Sequence, residues 1–341
     1  MNAVSGSIEL KRWTADAPSN IALIKYMGKI DTDPLIKNHP TNSSLSFTLP
    51  HLRSYVQLEF DKNLRADVWE PLTEFSDKKF VPLVLSEKGR ARFLAHLSLL
   101  REHFKFSGFF RVRSANDFPS DCGLASSASS FAALTKAAMI ALSSLTGAPT
   151  PTVTQAANFS RLGSGSSCRS FFEPWSMWTQ NDVRDVPQLF RYGQLIHQVV
   201  VVDEQVKAVS SSEAHRRVTS SLLFAGRPER AELRVTDFIL ALENDRWQDA
   251  FEIAWAEFWD MHALFETAEK PFGYMTAGSL EVLNFVRGKI WAIEGDGPLM
   301  TMDAGANVHL LYKHDESGRH QAKMVVKHFH PRFKVLSTER S

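Results

Sequence analysis

The chain has 341 residues, of which 44% are apolar and 23% charged, and its 39 Lys and Arg nearly balance its 38 Asp and Glu. This composition excludes a disordered chain, a collagen-like repeat and a disulfide scaffold, and the length allows two domains or one large one. No basic field marks a nucleic-acid partner, so any anionic ligand must be held by a local site.

Apolar–polar alternation predicts strands over Ser54–Phe60 and Phe109–Arg113. Between them, Glu87–Phe104 predicts a helix with Phe93, His96, Leu97, Leu100 and Phe104 on one stripe. Leu124–Leu142 predicts a second helix, its stripe formed by Leu124, Ala128, Phe131, Thr135, Ala138 and Leu142. Pro149 and Pro151 then break the chain, and a third helix is expected over Thr152–Arg161. Leu195–Asp203, rich in β-branched residues, predicts a buried strand. A boundary just before it divides the chain into domains 1–194 and 195–341.

Farther on, Trp247, Phe251, Ala254, Phe258, Met261 and Phe265 recur at spacings of four and three, which predicts a helix with a core-facing stripe. Leu283, Val286 and Ile290 mark another helix. Pro298–Met302 and Val308–Tyr312 predict strands flanking a loop, Asp303–Asn307, and Lys323–Phe329 predicts a last strand. His328 and His330 would share a face of that strand; with no third ligand nearby they read as edge residues rather than a metal site. Strands and helices without a regular βαβ period predict an α+β fold in two layers.

Cys122 and Cys168 lie in polar loops without metal-site spacing and suit a reducing compartment. No apolar run approaches the roughly 20 residues of a membrane span, and Met1–Leu10 lacks the apolar core of a signal peptide. The expectation is a soluble cytoplasmic protein without a membrane partner.

The segment Asp117–Ser130 reads DFPSDCGLASSASS. Pro119 fixes a turn, Gly123 permits close backbone approach, and Ser126 and Ser127 open an apolar helix. A helix start offers unpaired N–H groups and partial positive charge, and small residues there leave room for a phosphate. By itself the motif reads equally as a serine N-cap. P-loop, dinucleotide-fold and protein-kinase signatures are missing from the sequence.

Four segments in order, APSNIALIKYMGKID (Ala17–Asp31), PTNSSLSFTL (Pro40–Leu49), FPSDCGLASSASSFAAL (Phe118–Leu134) and GSGSSCRS (Gly163–Ser170), with a fifth, TMDAGANVHLL (Thr301–Leu311), resemble the mevalonate diphosphate decarboxylases of the GHMP kinase superfamily. The resemblance runs over nearly the whole chain. It implies a two-lobed fold, with a ribosomal-S5-like N-terminal lobe, a ferredoxin-like C-terminal lobe and the site between them. It also implies the activity: ATP and Mg²⁺ phosphorylate a tertiary 3-hydroxyl of mevalonate 5-diphosphate, after which phosphate and CO₂ leave. A homodimer is the implied assembly.

Residue by residue, the resemblance implies catalytic roles for Asp303, Lys25 and Arg169. Asp303 would orient the hydroxyl and take its proton, Lys25 would polarise that aspartate and touch the transferring phosphate, and Arg169 would bind the substrate carboxylate. Pro119, Gly123, Leu124, Ala125, Ser126 and Ser127 would hold the nucleotide phosphates, with Ser127 nearest the metal. Tyr26, Lys29, Ser164, Ser166 and Ser211 would hold the diphosphate tail, with Asn20 and Asn42 either walling the site or pinning loops. Ser210–Ser212 also reads as a solvated serine turn.

Several positions depart from the family pattern. Met27 replaces a Trp, Ala214 and His215 replace Gly-Met, FFEPWSMW follows Arg169–Ser170 where a glycine pair is usual, and Ser129 and Ser130 replace Ala-Gly. The acceptor-side departures leave open a related mevalonate phosphate as substrate of a decarboxylase or kinase. A non-catalytic ligand sensor is the alternative from another class, and the retained Asp303, Lys25, Arg169 and Ser127 speak against it. His215 would either add a donor at the substrate mouth or face solvent, and the solvent-facing reading is preferred.

Overall fold

Two sheets organise the chain, and three of the four strands of the second are buried throughout. The computed structural model describes residues 11–30, 37–118, 126–204 and 207–339. In the N-terminal lobe, β1 (Arg12–Ile24) runs antiparallel along β2 (Ser44–Phe60). The sheet continues through β3 (Val68–Pro71), β4 (Phe110–Asn116), β5 (Trp175–Trp178) and β6 (Val183–Asp185), in the order β6–β5–β2–β4–β3 with β1 also on β2. Only β3 and β4 pair in parallel.

Helices α1 (Glu87–His103), α2 (Ser126–Thr146) and α3 (Val153–Gly163) belong to the same lobe. Phe93, Leu97 and Leu100 of α1 and Phe131, Ala138 and Leu142 of α2 bury against Val56, Leu58, Phe110 and Val112 of the strands. Each large apolar side chain removed from water there contributes about 1.5–3 kcal/mol. Caps set the ends. Ser86 accepts from the Gly89 N–H at the start of α1, and Thr152 and Gln155 form a capping box on α3. Contrary to the expectation that no apolar run approaches a membrane span, helix α2 is long and apolar enough to cross one; 72% of its apolar window is buried inside the fold, as a core helix requires.

The second sheet has the order β8–β9–β7–β10, all antiparallel, formed by β7 (Ile196–Val201), β8 (Leu299–Met302), β9 (Val308–Tyr312) and β10 (Lys334–Ser337). Its helices are α4 (Ser211–Arg217), α5 (Arg227–Glu243), α6 (Trp247–Glu266), α7 (Ala277–Phe285) and α8 (Glu316–Phe329). The α6 stripe is buried as its spacing predicts.

The predicted strand Lys323–Phe329 is instead the last half of α8. Gln321, Ala322, Val325 and Phe329 are its buried side, at helical spacing, and Asp315 caps it by accepting from the Gly318 N–H. His328 therefore does not share a strand face with His330; its ring stacks on Phe285 at 4.1 Å.

Polar side chains join the lobes. His51 on β2, His197 on β7 and His309 on β9 form a chain, with Nε2 of His51 3.1 Å from Nδ1 of His197 and Nε2 of His197 3.0 Å from Nδ1 of His309. Burial pushes His51 and His309 down from 6.5 to about 4, and His197 well below its ordinary value. Below pH 6.5 the unfolded chain binds protons that the folded chain refuses until about pH 4. Stability is thus fully present above that range and is lost as pH falls through it, by about 1.4 kcal/mol per pH unit for each histidine. The melting temperature of the protein should drop across this range, and His51→Gln should flatten the drop. Equal slopes for the two proteins would remove the histidine chain as its cause.

Candidate active site

Between the lobes lies a cavity lined by Lys25, Tyr26, Lys29, Ser127, Ser164, Ser166, Arg169, Ser211, His215 and Asp303, together with Met27, Asn38, Arg92, Lys207 and Ser212. All three expected catalytic residues and all five expected tail-binding residues meet there.

Lys25 follows β1 directly and is 1% exposed. Its Nζ donates to Oδ1 of Asp303 at 2.7 Å and to the Ala22 carbonyl at 2.6 Å. Asp303 sits just beyond the end of β8, with its side chain 30% exposed toward the cavity. Burial works to raise the Asp303 carboxyl, but the charge and hydrogen bond of Lys25, helped by His309 and Arg169, hold it below the usual carboxylate range. Burial draws the Lys25 ammonium below its ordinary value, against the pull of Asp303 and Glu257. The pair is an ionised acid beside a desolvated cation, open on one side.

Arg169 belongs to a 3₁₀ segment, Gly165–Phe171, and is 4% exposed. Its Nε donates to Ser46 Oγ at 2.6 Å and its Nη1 to Ser44 Oγ at 2.9 Å. Those serines lie two apart on β2 and so share one face. The Trp178 ring lies 5.8 Å from the guanidinium. Among the described residues no carboxylate pairs with Arg169, which leaves part of its planar fork for a ligand.

The tail end of the cavity is built around Asn38, which the sequence reading missed. Tyr26 Oη donates to its carbonyl at 3.3 Å, and Lys29 Nζ donates to its Oδ1 at 3.4 Å. Asn38 takes the left-handed conformation, φ 61°, which asparagine tolerates. Tyr26 is sandwiched between Trp178 at 4.6 Å and His215 at 4.2 Å. His215 therefore does not face solvent. It lines the cavity, and its Nδ1 accepts the Gly28 N–H at 3.1 Å, which places the proton of the neutral ring on Nε2. The FFEPWSMW segment supplies Trp178 to this wall, and Met27 fills a small apolar cluster with Ala214 and Met261.

Ser127 lies in the first turn of α2, exposed, with its Oγ 3.4 Å from Ser164 Oγ. Ser126 opens the helix without lining the cavity. Pro119, Gly123, Leu124 and Ala125 lie outside the described residues. On the far side of that stretch, Asn116, Asp117 and Phe118 line a second cavity between the lobes, with Lys78, Phe80 and Leu336. The two ends of the glycine–serine segment thus border two cavities. Ser129 Oγ lies 2.7 Å and Ser130 Oγ 3.2 Å from Ser54 Oγ, so these departures from Ala-Gly tie α2 to β2.

Asn20 and Asn42 act as pins. Asn20 Nδ2 donates to Ser170 Oγ at 2.9 Å, and Asn42 Nδ2 donates to the Lys25 carbonyl at 2.9 Å. Ser211 opens α4 beside Ser212, and the neighbouring Ser210 caps that helix by accepting from the Glu213 N–H.

Comparison with known proteins meets this geometry. Residues 17–186 match the diphosphomevalonate decarboxylase-like N-terminal domain, and residues 197–340 match the mevalonate 5-diphosphate decarboxylase C-terminal domain. The diphosphomevalonate decarboxylase of Ganoderma lucidum is 32% identical, over 93% of this chain and 82% of its own length. The crystal structure of a mevalonate diphosphate decarboxylase from Legionella pneumophila superposes with a TM-score of 0.86 at 47% identity, covering 96% of this chain and all of that one (100%). A structure described as MDDEF in complex with MVAPP, AMPPCP and magnesium superposes with a TM-score of 0.81 at 26% identity, covering 97% and 100%. With both lobes matched and the charged trio gathered between them, the chain belongs to the diphosphomevalonate decarboxylase family.

Proposed function

We propose that this protein uses ATP to convert mevalonate 5-diphosphate into isopentenyl diphosphate, releasing ADP, phosphate and CO₂. The observation that carries the reading is the Lys25–Asp303 pair, 2.7 Å apart, facing the same cavity as a buried arginine that has no carboxylate partner among the described residues.

Phosphoryl transfer needs positioning and charge neutralisation more than covalent help. A tertiary alcohol is crowded and weakly nucleophilic, so an ionised Asp303 orients it and accepts its proton as the O–P bond forms. Lys25 holds the carboxylate in place and meets the negative charge of the incoming phosphoryl group. Ser127, its hydroxyl exposed in the first turn of α2 beside Ser164, is the residue that fits a magnesium ligand. Magnesium bound there would neutralise phosphate charge, and the second cavity, at the other end of the glycine–serine segment, would take the rest of the nucleotide.

In the second step the C3–O bond breaks and positive character builds at C3. The C1–C2 bond then releases CO₂, and its electron pair becomes the new double bond. Arg169 fixes the carboxylate that departs. The leaving phosphate needs one proton, and Asp303 holds the one taken from the hydroxyl, so the cycle returns the site to its starting charge. Tyr26, Lys29, Ser164, Ser166 and Ser211 grip the anionic tail, and the division of lobes falls at residues 194/195, between β6 and β7.

The deciding assay offers ATP, Mg²⁺ and mevalonate carrying none, one or two 5-phosphates, and follows CO₂ and inorganic phosphate. Both products should appear in equal amounts with the diphosphate. Phosphate transfer without CO₂ would make the protein a kinase, and silence with every acid would make it a sensor.

A further inference from the structure

The backbone of Lys25 is held from the opposite lobe. Its N–H donates to Oε1 of Glu257 on α6 at 2.9 Å, while its carbonyl accepts from Asn42. Glu257 is 0% exposed, and so is its partner Arg227 on α5. Arg234 reaches the other carboxylate oxygen at 2.7 Å, and Asp260, one turn along α6, takes Arg230 at 2.9 Å and Arg234 at 2.6 Å.

A buried ion cluster of this kind is a poor source of stability, because apolar residues of the same volume commonly do as well or better. Its geometry has another use. It brings a fixed carboxylate through the lobe interface to the lysine whose ammonium bonds Asp303. An acceptor at the Lys25 N–H sets where the end of β1 sits, and hence where the ammonium lies. Its negative charge also adds to that of Asp303, against the desolvation of Lys25 and the repulsion from Arg169.

We propose that Glu257 is a positioning residue for phosphoryl transfer, fixing Lys25 across the lobe interface and supplying negative charge that keeps its ammonium protonated. The proposal rests on the decarboxylase reading, and its test is made against the wild-type activity itself. The charged and titratable groups that face Lys25 are Asp303, Glu257, Arg169, His262 and His309, with Arg227 and Arg234 behind Glu257 as its partners. Among them only Glu257 is altered.

Two variants separate charge from reach. Glu257→Gln keeps an acceptor for the Lys25 N–H and removes the charge. With less negative charge nearby, Lys25 gives up its proton at lower pH. The alkaline limb of the kcat profile should move down by about half to one pH unit, with KM for ATP and for the acid within about twofold. Glu257→Asp keeps the charge and loses a methylene of reach. Its plateau kcat should fall about tenfold while the alkaline limb stays within about 0.2 units of wild type. Melting curves establish that each variant is folded, and the Asp variant carries the test of position if the Gln variant does not fold. An unmoved limb in folded Glu257→Gln, or wild-type kcat in Glu257→Asp, overturns the proposal and leaves the decarboxylase reading standing. An inactive wild-type protein defeats that reading first.

Discussion

Asp303→Asn should lower kcat by roughly 10²–10⁴-fold while the affinity for an ATP analogue changes by less than about threefold. The substitution is nearly isosteric. The amide oxygen can still accept from Lys25 Nζ, so the 2.7 Å contact and the wall of the cavity survive. What disappears is the basic oxygen. Lys25 holds the Asp303 carboxylate ionised across the neutral range, and an amide cannot take the hydroxyl proton at any pH. Calorimetric titration of the analogue beside steady-state turnover separates the two quantities. A loss that falls entirely in KM would remove Asp303 from the proton transfer.

Arg169→Lys should cost about 10²–10³-fold in kcat, and the products should come apart. The guanidinium is tethered by two of its nitrogens to Ser46 and Ser44 and meets a carboxylate with what remains of its fork. An ammonium cannot hold both serines and present a planar pair of donors. The tertiary hydroxyl can still be phosphorylated, because that step is served by Asp303 and Lys25. Loss of CO₂ depends on the carboxylate that Arg169 fixes. The ratio of CO₂ to ADP should therefore fall below one, with a phosphorylated acid accumulating. A ratio that stays at unity with near-normal turnover would mean that the carboxylate binds elsewhere.

The α6 and α1 stripes were legible because burial of one helix face writes a period into the sequence, whereas the two strands flanking Asp303 are buried throughout and show as short apolar runs. Three features were not legible. β1 contains Pro18, which argues against a strand; it is tolerated because β1 pairs on one side alone and shifts register between Pro18 and Ser19. The end of α8 reads KMVVKHF, a short apolar run that strand and helix share, and its helical period shows only when Gln321 and Ala322 are set beside Val325 and Phe329. Asn38 and Glu257 lie outside any motif. Their value comes from side chains and backbone groups 9 to 232 positions away, contacts that no local pattern encodes. Site residues that lie within a motif, such as Lys25 and Arg169, were legible through resemblance, whereas Ser44 and Ser46, which orient Arg169, lie in a motif whose local pattern assigns them no role.

The 17 residues of β2 join jobs that belong to opposite ends of the reaction. Ser44 and Ser46 aim the arginine, His51 enters the seam between lobes, and Ser54 anchors the start of the helix that follows the glycine–serine segment. A strand has a phase as well as a length, since each residue added turns every later side chain to the opposite face. Insertions and deletions within the paired stretches shift every later side chain, and the register is already irregular at positions 50–52, which have no partner on β1. A single-residue indel between positions 44 and 46 would turn one of the two serines away from the arginine, so in descent that part of the strand is free to change its letters but not its count.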